Sequence, residues 1–193
     1  VALIHGWEGS VDSSYVVSAG EYLYGRGFDI FRLNLRDHGR SHDLNVGLFH
    51  GALLDETFTA VRAVAGIAPS RPFYLAGFSL GANFALRIAL RHSQVKIDNL
   101  RHVVAISPAL DPYKATVAID NGFSGYRRHF LWKWKRSLRT KQELFPEHYR
   151  FDEALRKKTC LAMTEAVMAY YPEFDDVRDY FGRYTLSGDI FED

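Results

Sequence analysis

Ser79 stands at the centre of Gly77-Phe78-Ser79-Leu80-Gly81, a G-x-S-x-G pattern whose residue types and spacing suit nucleophilic acyl transfer. A serine hydroxyl attacks a carbonyl when the backbone presents it and a base takes its proton. A sharp strand-to-helix turn makes that presentation. It holds the serine in a strained conformation and needs small residues two before and two after it. The turn also aims the N-terminus of the next helix at developing negative charge. The flanks agree. Pro72-Phe73-Tyr74-Leu75-Ala76 is a short apolar run of strand character, and Ala82 to Leu90 has helical composition and spacing.

A tetrahedral oxyanion needs donors as well as a nucleophile. The elbow makes the backbone N–H of Leu80 one donor. The second is expected from the loop after the first strand, His5-Gly6-Trp7-Glu8-Gly9, whose glycines allow close backbone approach and whose Trp7 N–H is the candidate. Losing one such donor typically costs ~3 kcal/mol of transition-state stabilisation.

The surrounding elements must hold these loops in place. Val1 to Ile4 reads as a buried strand, and a helix is predicted from Tyr15 to Tyr24, ended by Gly25-Arg26-Gly27. Phe28 to Leu35 reads as a second strand that runs into the turn-rich Arg36-Asp37-His38-Gly39-Arg40-Ser41. A helix over Leu53 to Ile67 follows, with Leu54, Phe58, Val61 and Ala65 at core spacing. After the elbow and its helix comes a strand at His102 to Ile106, closed by Ser107-Pro108. Alternating strands and helices predict a parallel α/β sheet flanked by helices. From Ala109 onward the patterns are helical only, near Tyr126 to Gln142, Asp152 to Tyr170 and Val177 to Arg183. The expected organisation is therefore an α/β core over residues 1–108 and a helical cap over 109–193.

Taken in order, the His5-Gly6 loop, Arg36-Asp37-His38-Gly39-Arg40-Ser41 and the elbow resemble the α/β-hydrolase superfamily, over Val1 to about Leu110. Within it, His5-Gly6-Trp7-Glu8-Gly9-Ser10, Gly77-Phe78-Ser79-Leu80-Gly81-Ala82-Asn83 and the basic cap resemble the YheT-like hydrolases, which have esterase and lipase relatives. The resemblance implies a partial α/β-hydrolase fold with a helical cap insertion. It also implies a serine hydrolase of carboxylic esters, carboxylesterase- or lipase-like, that forms an acyl-enzyme on Ser79 without a cofactor. A thioesterase or amidase on the same fold is one alternative, since all share the elbow, and a non-catalytic membrane-associated binding module that uses the basic aromatic cap is the other. The implied partner is a small-molecule ester or acyl-lipid.

In that superfamily the triad runs Ser, acid, His, with the last two after a region like this cap. None of the eight histidines is assigned as base. His5 and His38 belong to loop motifs, His42 and His50 precede the nucleophile, His92 and His102 flank the elbow helix's exit, and His129 and His148 lie in the cap. Asp111 follows a strand end where some lipases of the superfamily carry their acid, and a turn or helix cap is the favoured reading over that one. Asp37 reads as a side chain tying its loop to backbone N–H groups. The chain begins at Val1 inside a strand and stops at Asp193, as an internal piece of a longer protein would. The acid and base are expected downstream. On that reading the 193 residues alone are expected to be inactive and poorly soluble or marginally stable. The strand at His102 to Ile106 should then carry an unpaired edge.

Tyr126 to Lys141 carries Arg127, Arg128, Lys133, Lys135, Arg136, Arg139 and Lys141 without an acidic residue, interleaved with Phe130, Trp132 and Trp134. It reads either as a cap helix with a solvated basic face or as a surface for anionic membrane or acidic lipid. The bulk composition is neutral on the question. The 193 residues are 47% hydrophobic and 24% charged, with a formal net charge of +1, which gives no reason to expect a nucleic-acid partner. No run approaches the ~18 apolar residues of a membrane span. The expected location is cytoplasmic, with peripheral membrane contact through Tyr126 to Lys141. Cys160, the single cysteine, reads as a buried thiol within a helix.

Overall fold

The computed structural model describes residues 1–188. Four short strands form one parallel sheet: β1 (Ala2–Ile4), β2 (Phe31–Leu33), β3 (Phe73–Phe78) and β4 (Leu100–Ile106), in spatial order β2-β1-β3-β4. Ile4 aligns with Gly77 and Phe78 with Ile106, so the strands end together and their following loops gather at one edge. Open parallel sheets bind ligands at that carboxyl edge. Helices α1 (Ser14–Tyr24), α2 (Leu54–Ala65) and α3 (Leu80–Gln94) make the crossovers.

Burial explains why the central strands hold. β1 is buried throughout, and β3 is buried at Phe73, Leu75, Ala76 and Gly77. Such near-continuous apolar runs belong to strands covered on both faces. Leu3, Val16 and Ala76 form one core cluster, and α3 adds the fully buried Phe84 and Ile88. β4 is the edge of the described sheet, and its Val104 and Ile106 are exposed. β2 is shorter than its predicted run, because Phe28 and Asp29 precede the ladder and Asn34 and Leu35 leave it.

Residues 1–35, 53–110 and 186–188 form one compact unit. The second unit comprises Arg36–Ala52 and Asp111–Thr185, so the loop after β2 belongs with the later helices. Those helices are α4 (Pro112–Asn121), α5 (Ser124–Leu144), α6 (Asp152–Arg156), α7 (Cys160–Val167) and α8 (Val177–Gly182), with a 3₁₀ turn at Met168–Tyr170. α7 packs against α4, α5 and α6. Among these helices the structure departs from expectation twice. α4 was not foreseen, although Asp111 at its N-cap accepts from the Lys114 N–H at 2.9 Å and Pro112 opens its first turn. The predicted helix over Asp152 to Tyr170 is broken at Lys157, because Thr159 starts a new helix by accepting from the Ala162 N–H. Among the described residues, no helix is long and apolar enough to cross a membrane.

Candidate active site

Ser79 sits between β3 and α3 with φ 53° and ψ −113°. A side chain with a Cβ occupies that left-handed region at a cost of about 1–3 kcal/mol, so its surroundings must hold it there. They do so on three sides. The Ser79 N–H donates to the Ile106 carbonyl at 3.0 Å, extending the β3–β4 ladder by one bond. Its own carbonyl accepts from the Asn83 N–H at 3.0 Å. Asn83, fully buried, also donates from Nδ2 to the Ala109 carbonyl at 2.8 Å, which clamps the segment after β4 to the elbow helix.

The two elbow glycines are required by contact. A Cβ on Gly77 would strike the backbone of Gly81, and a Cβ on Gly81 would strike the carbonyls of Ile4 and His5. Backbone cannot give way as a flexible side chain can, so only glycine lets β1, β3 and α3 meet.

The consequence for Ser79 is chemical. A serine at a helix N-cap normally accepts from the helix's first free N–H groups. Here the side chain makes no capping bond, the residue is exposed, and its hydroxyl bonds to none of the described residues. Leu80, the first residue of α3, is buried directly after it.

The loop after β1 lies against this turn. A Cβ on Gly6 would stand 3.2 Å from Ser79 Cβ. The Gly9 N–H donates to the Gly6 carbonyl at 2.9 Å, and Glu8 has φ 55°, so Gly6 to Gly9 is a tight turn with a left-handed third residue and Trp7 second. The turn is pinned twice. The Gly6 N–H donates to the Tyr15 hydroxyl at 2.9 Å, while the Tyr15 ring meets Phe78 edge-on at 5.0 Å. Buried His5 accepts the Leu35 N–H on Nε2 at 3.1 Å, which leaves the proton on Nδ1 for the Gly6 carbonyl at 2.7 Å. Both ring nitrogens thus serve the loop. Tyr15 was missed in the sequence because it is simply an early residue of a surface helix.

Several titratable residues outside this turn have structural partners. In the second unit, Asp37 (φ 55°) accepts from the Phe49 N–H at 2.7 Å and from Lys141 Nζ at 2.8 Å. Lys141 is fully buried and also donates to the His42 and Asn45 carbonyls. It is therefore not part of a solvated basic face. Burial pushes the Asp37 carboxyl above its usual range, against the pull of the Lys141 ammonium and the Phe49 N–H. His42 bonds Ser137 Oγ through Nε2 at 2.8 Å, and burial lowers its pKa. The Lys114 N–H holds the Asp111 carboxyl below its usual range. Cys160 opens α7 and is fully buried, its thiol pushed up to about 12 chiefly by burial. Such a thiol is unreactive. Among the described residues, no group of three or more His, Cys, Asp or Glu is placed to hold a metal ion.

A solved carboxylesterase structure from the ammonia-oxidizing thaumarchaeon Nitrososphaera gargenis is similar at 18% identity and a TM-score of 0.48. The match covers 99% of this chain and 65% of the carboxylesterase, so the chain spans about two-thirds of that protein's length. No curated protein sequence matches significantly. The family model described as alpha/beta hydrolase fold matches residues 1–137, and the chain belongs to that family.

Proposed function

We propose that Ser79 is the nucleophile of a serine hydrolase acting on carboxylic esters. One observation carries the reading: an exposed serine is held at φ 53° on a strand-to-helix turn, and its hydroxyl is not used to cap its own helix. A fold does not by itself imply a reaction, so the argument rests on this site. In the proposed reaction Ser79 Oγ bonds to the ester carbonyl carbon as a base takes its proton. The tetrahedral oxyanion is held by the backbone N–H groups of Leu80 and Trp7. The carbon–oxygen bond to the alcohol then breaks, the alcohol leaves with the proton, and water releases the acid from the acyl-enzyme.

Among the described residues no histidine bonds to the Ser79 hydroxyl, and the family's chain order is Ser, acid, His. We place the proton-handling acid and histidine downstream of the chain, in the YheT-like manner, and propose that the chain alone does not turn over. The test is hydrolysis of p-nitrophenyl esters by the whole protein that carries this chain. An initial burst of p-nitrophenol and a fall of about 10⁴-fold or more in kcat for Ser79→Ala are expected. Undiminished turnover by Ser79→Ala would end the proposal.

A further inference from the structure

The second unit holds a recess of about 430 Å³ lined by six cations: Arg127, Arg128, Lys135, Arg139, Lys157 and Lys158. Among the described residues no carboxylate lines it. Two elements converge to make it. Arg127, Leu131, Lys135 and Arg139 recur every four residues, so they form one stripe along α5. Lys157 and Lys158 come from the break between α6 and α7, and Lys135 Nζ fixes that break to the stripe by donating to the Lys157 carbonyl at 2.6 Å. Leu131 is buried, and Trp132 presents an exposed indole.

Neutralisation inside the chain is slight. Among the described residues Lys157 alone of the six is ion-paired, to Glu153 at 2.9 Å, and Arg127 donates to the Asp120 carbonyl at 2.6 Å. Arg128, Arg139 and Lys158 have no carboxylate partner among the described residues. Like charges this close repel, and burial together with the Arg139 charge lowers the Lys135 pKa. An arrangement of that kind is relieved by a multiply charged anion. Guanidinium forks match phosphate oxygens two at a time, with ammonium groups as supporting point charges.

We propose that this recess binds a phosphate group, of the kind carried by a phospholipid headgroup or by a soluble phosphate ester. The proposal goes beyond the serine chemistry and does not depend on it. Calorimetric titration with inorganic phosphate and glycerol 3-phosphate tests the soluble source. Sedimentation with vesicles of phosphatidylcholine, with and without phosphatidic acid, tests the lipid source. Saturable binding is expected in one arm or both, and it should weaken as salt is raised. The combined variant Arg128→Gln, Arg139→Gln, Lys158→Gln alters only exposed side chains and should weaken it by at least about tenfold, the loss of one charge-assisted hydrogen bond. A control that removes as many charges elsewhere, Arg26→Gln, Arg62→Gln, Arg101→Gln, should leave it within about twofold of the parent. Binding by vesicles alone assigns the headgroup, and binding by the esters assigns the soluble ligand. The proposal is overturned by no binding in either arm, by equal loss in both variants, or by RNA binding that phosphate does not compete.

Discussion

Replacing Lys141 by methionine keeps the buried stem and removes the ammonium that Asp37 faces at 2.8 Å. Both side chains are at most 4% exposed, so water cannot take the ammonium's place without opening the loop. The Asp37 carboxylate would keep the Phe49 N–H, and the His42 and Asn45 carbonyls would lose their shared donor. Breaking a buried pair from one side typically costs about 3–5 kcal/mol. Protonating Asp37 sets a ceiling on that cost. From an ordinary pKa of about 3.9, doing so at pH 7 takes about 4 kcal/mol, at roughly 1.4 kcal/mol per pH unit. Burial already holds the folded Asp37 carboxyl above that range, so the penalty should lie below about 4 kcal/mol at pH 7 and below about 1.5 kcal/mol at pH 5. For a chain of this size that limits the fall in Tm to roughly 8–16 °C at pH 7, and to under half of it at pH 5. The double variant Asp37→Leu, Lys141→Met removes both charges and should recover most of the loss. Thermal melts followed by circular dichroism at the two pH values decide the matter. A loss under about 1 kcal/mol, or one that does not shrink at pH 5, would refute the reasoning.

Two further predictions follow from the same kind of geometry. Gly81→Ala drives a Cβ into the Ile4 and His5 carbonyls. It should cost more than the ~1 kcal/mol of an ordinary helix substitution and leave the protein insoluble or unfolded; a soluble variant with parental Tm would show that the strands and helix have room to part. His42 has a lowered pKa, so below its unfolded value near 6.5 the unfolded chain binds a proton that the folded chain refuses. Stability should fall as pH drops from about 6.5 toward the folded pKa, and the slope should flatten in His42→Asn. Equal slopes in chemical denaturation of the two proteins would contradict this.

Features that rest on local rules were legible in the sequence. The strand-to-helix turn at Ser79 needs glycine two before and two after the serine, and the collisions at Gly77 and Gly81 show the rule acting. Helices α1, α2 and α5 follow their apolar spacing and end where glycine or spacing stops them. Start signals for α4 and α7 were also present, in Asp111-Pro112 and Thr159, but the amphipathic pattern across Asp152 to Tyr170 outweighed the second. The missing part depends on distant partners. Asp120 accepts the Cys160 and Leu161 N–H groups at 2.7 and 2.9 Å from forty residues away, and so fixes where α7 begins. Lys141 looked like one more solvated cation because its partner, Asp37, lies 104 residues back. Tyr15 carries no motif, and only its contact with the Gly6 N–H shows its place in the candidate site.

The central claim is that Ser79 is an activated nucleophile, and a fluorophosphonate probe reads that property without knowledge of the substrate. The whole protein should be labelled, with the adduct mapping to the peptide that carries Ser79 and labelling lost in Ser79→Ala. A folded protein that stays unlabelled, or one labelled elsewhere than Ser79, would contradict the claim.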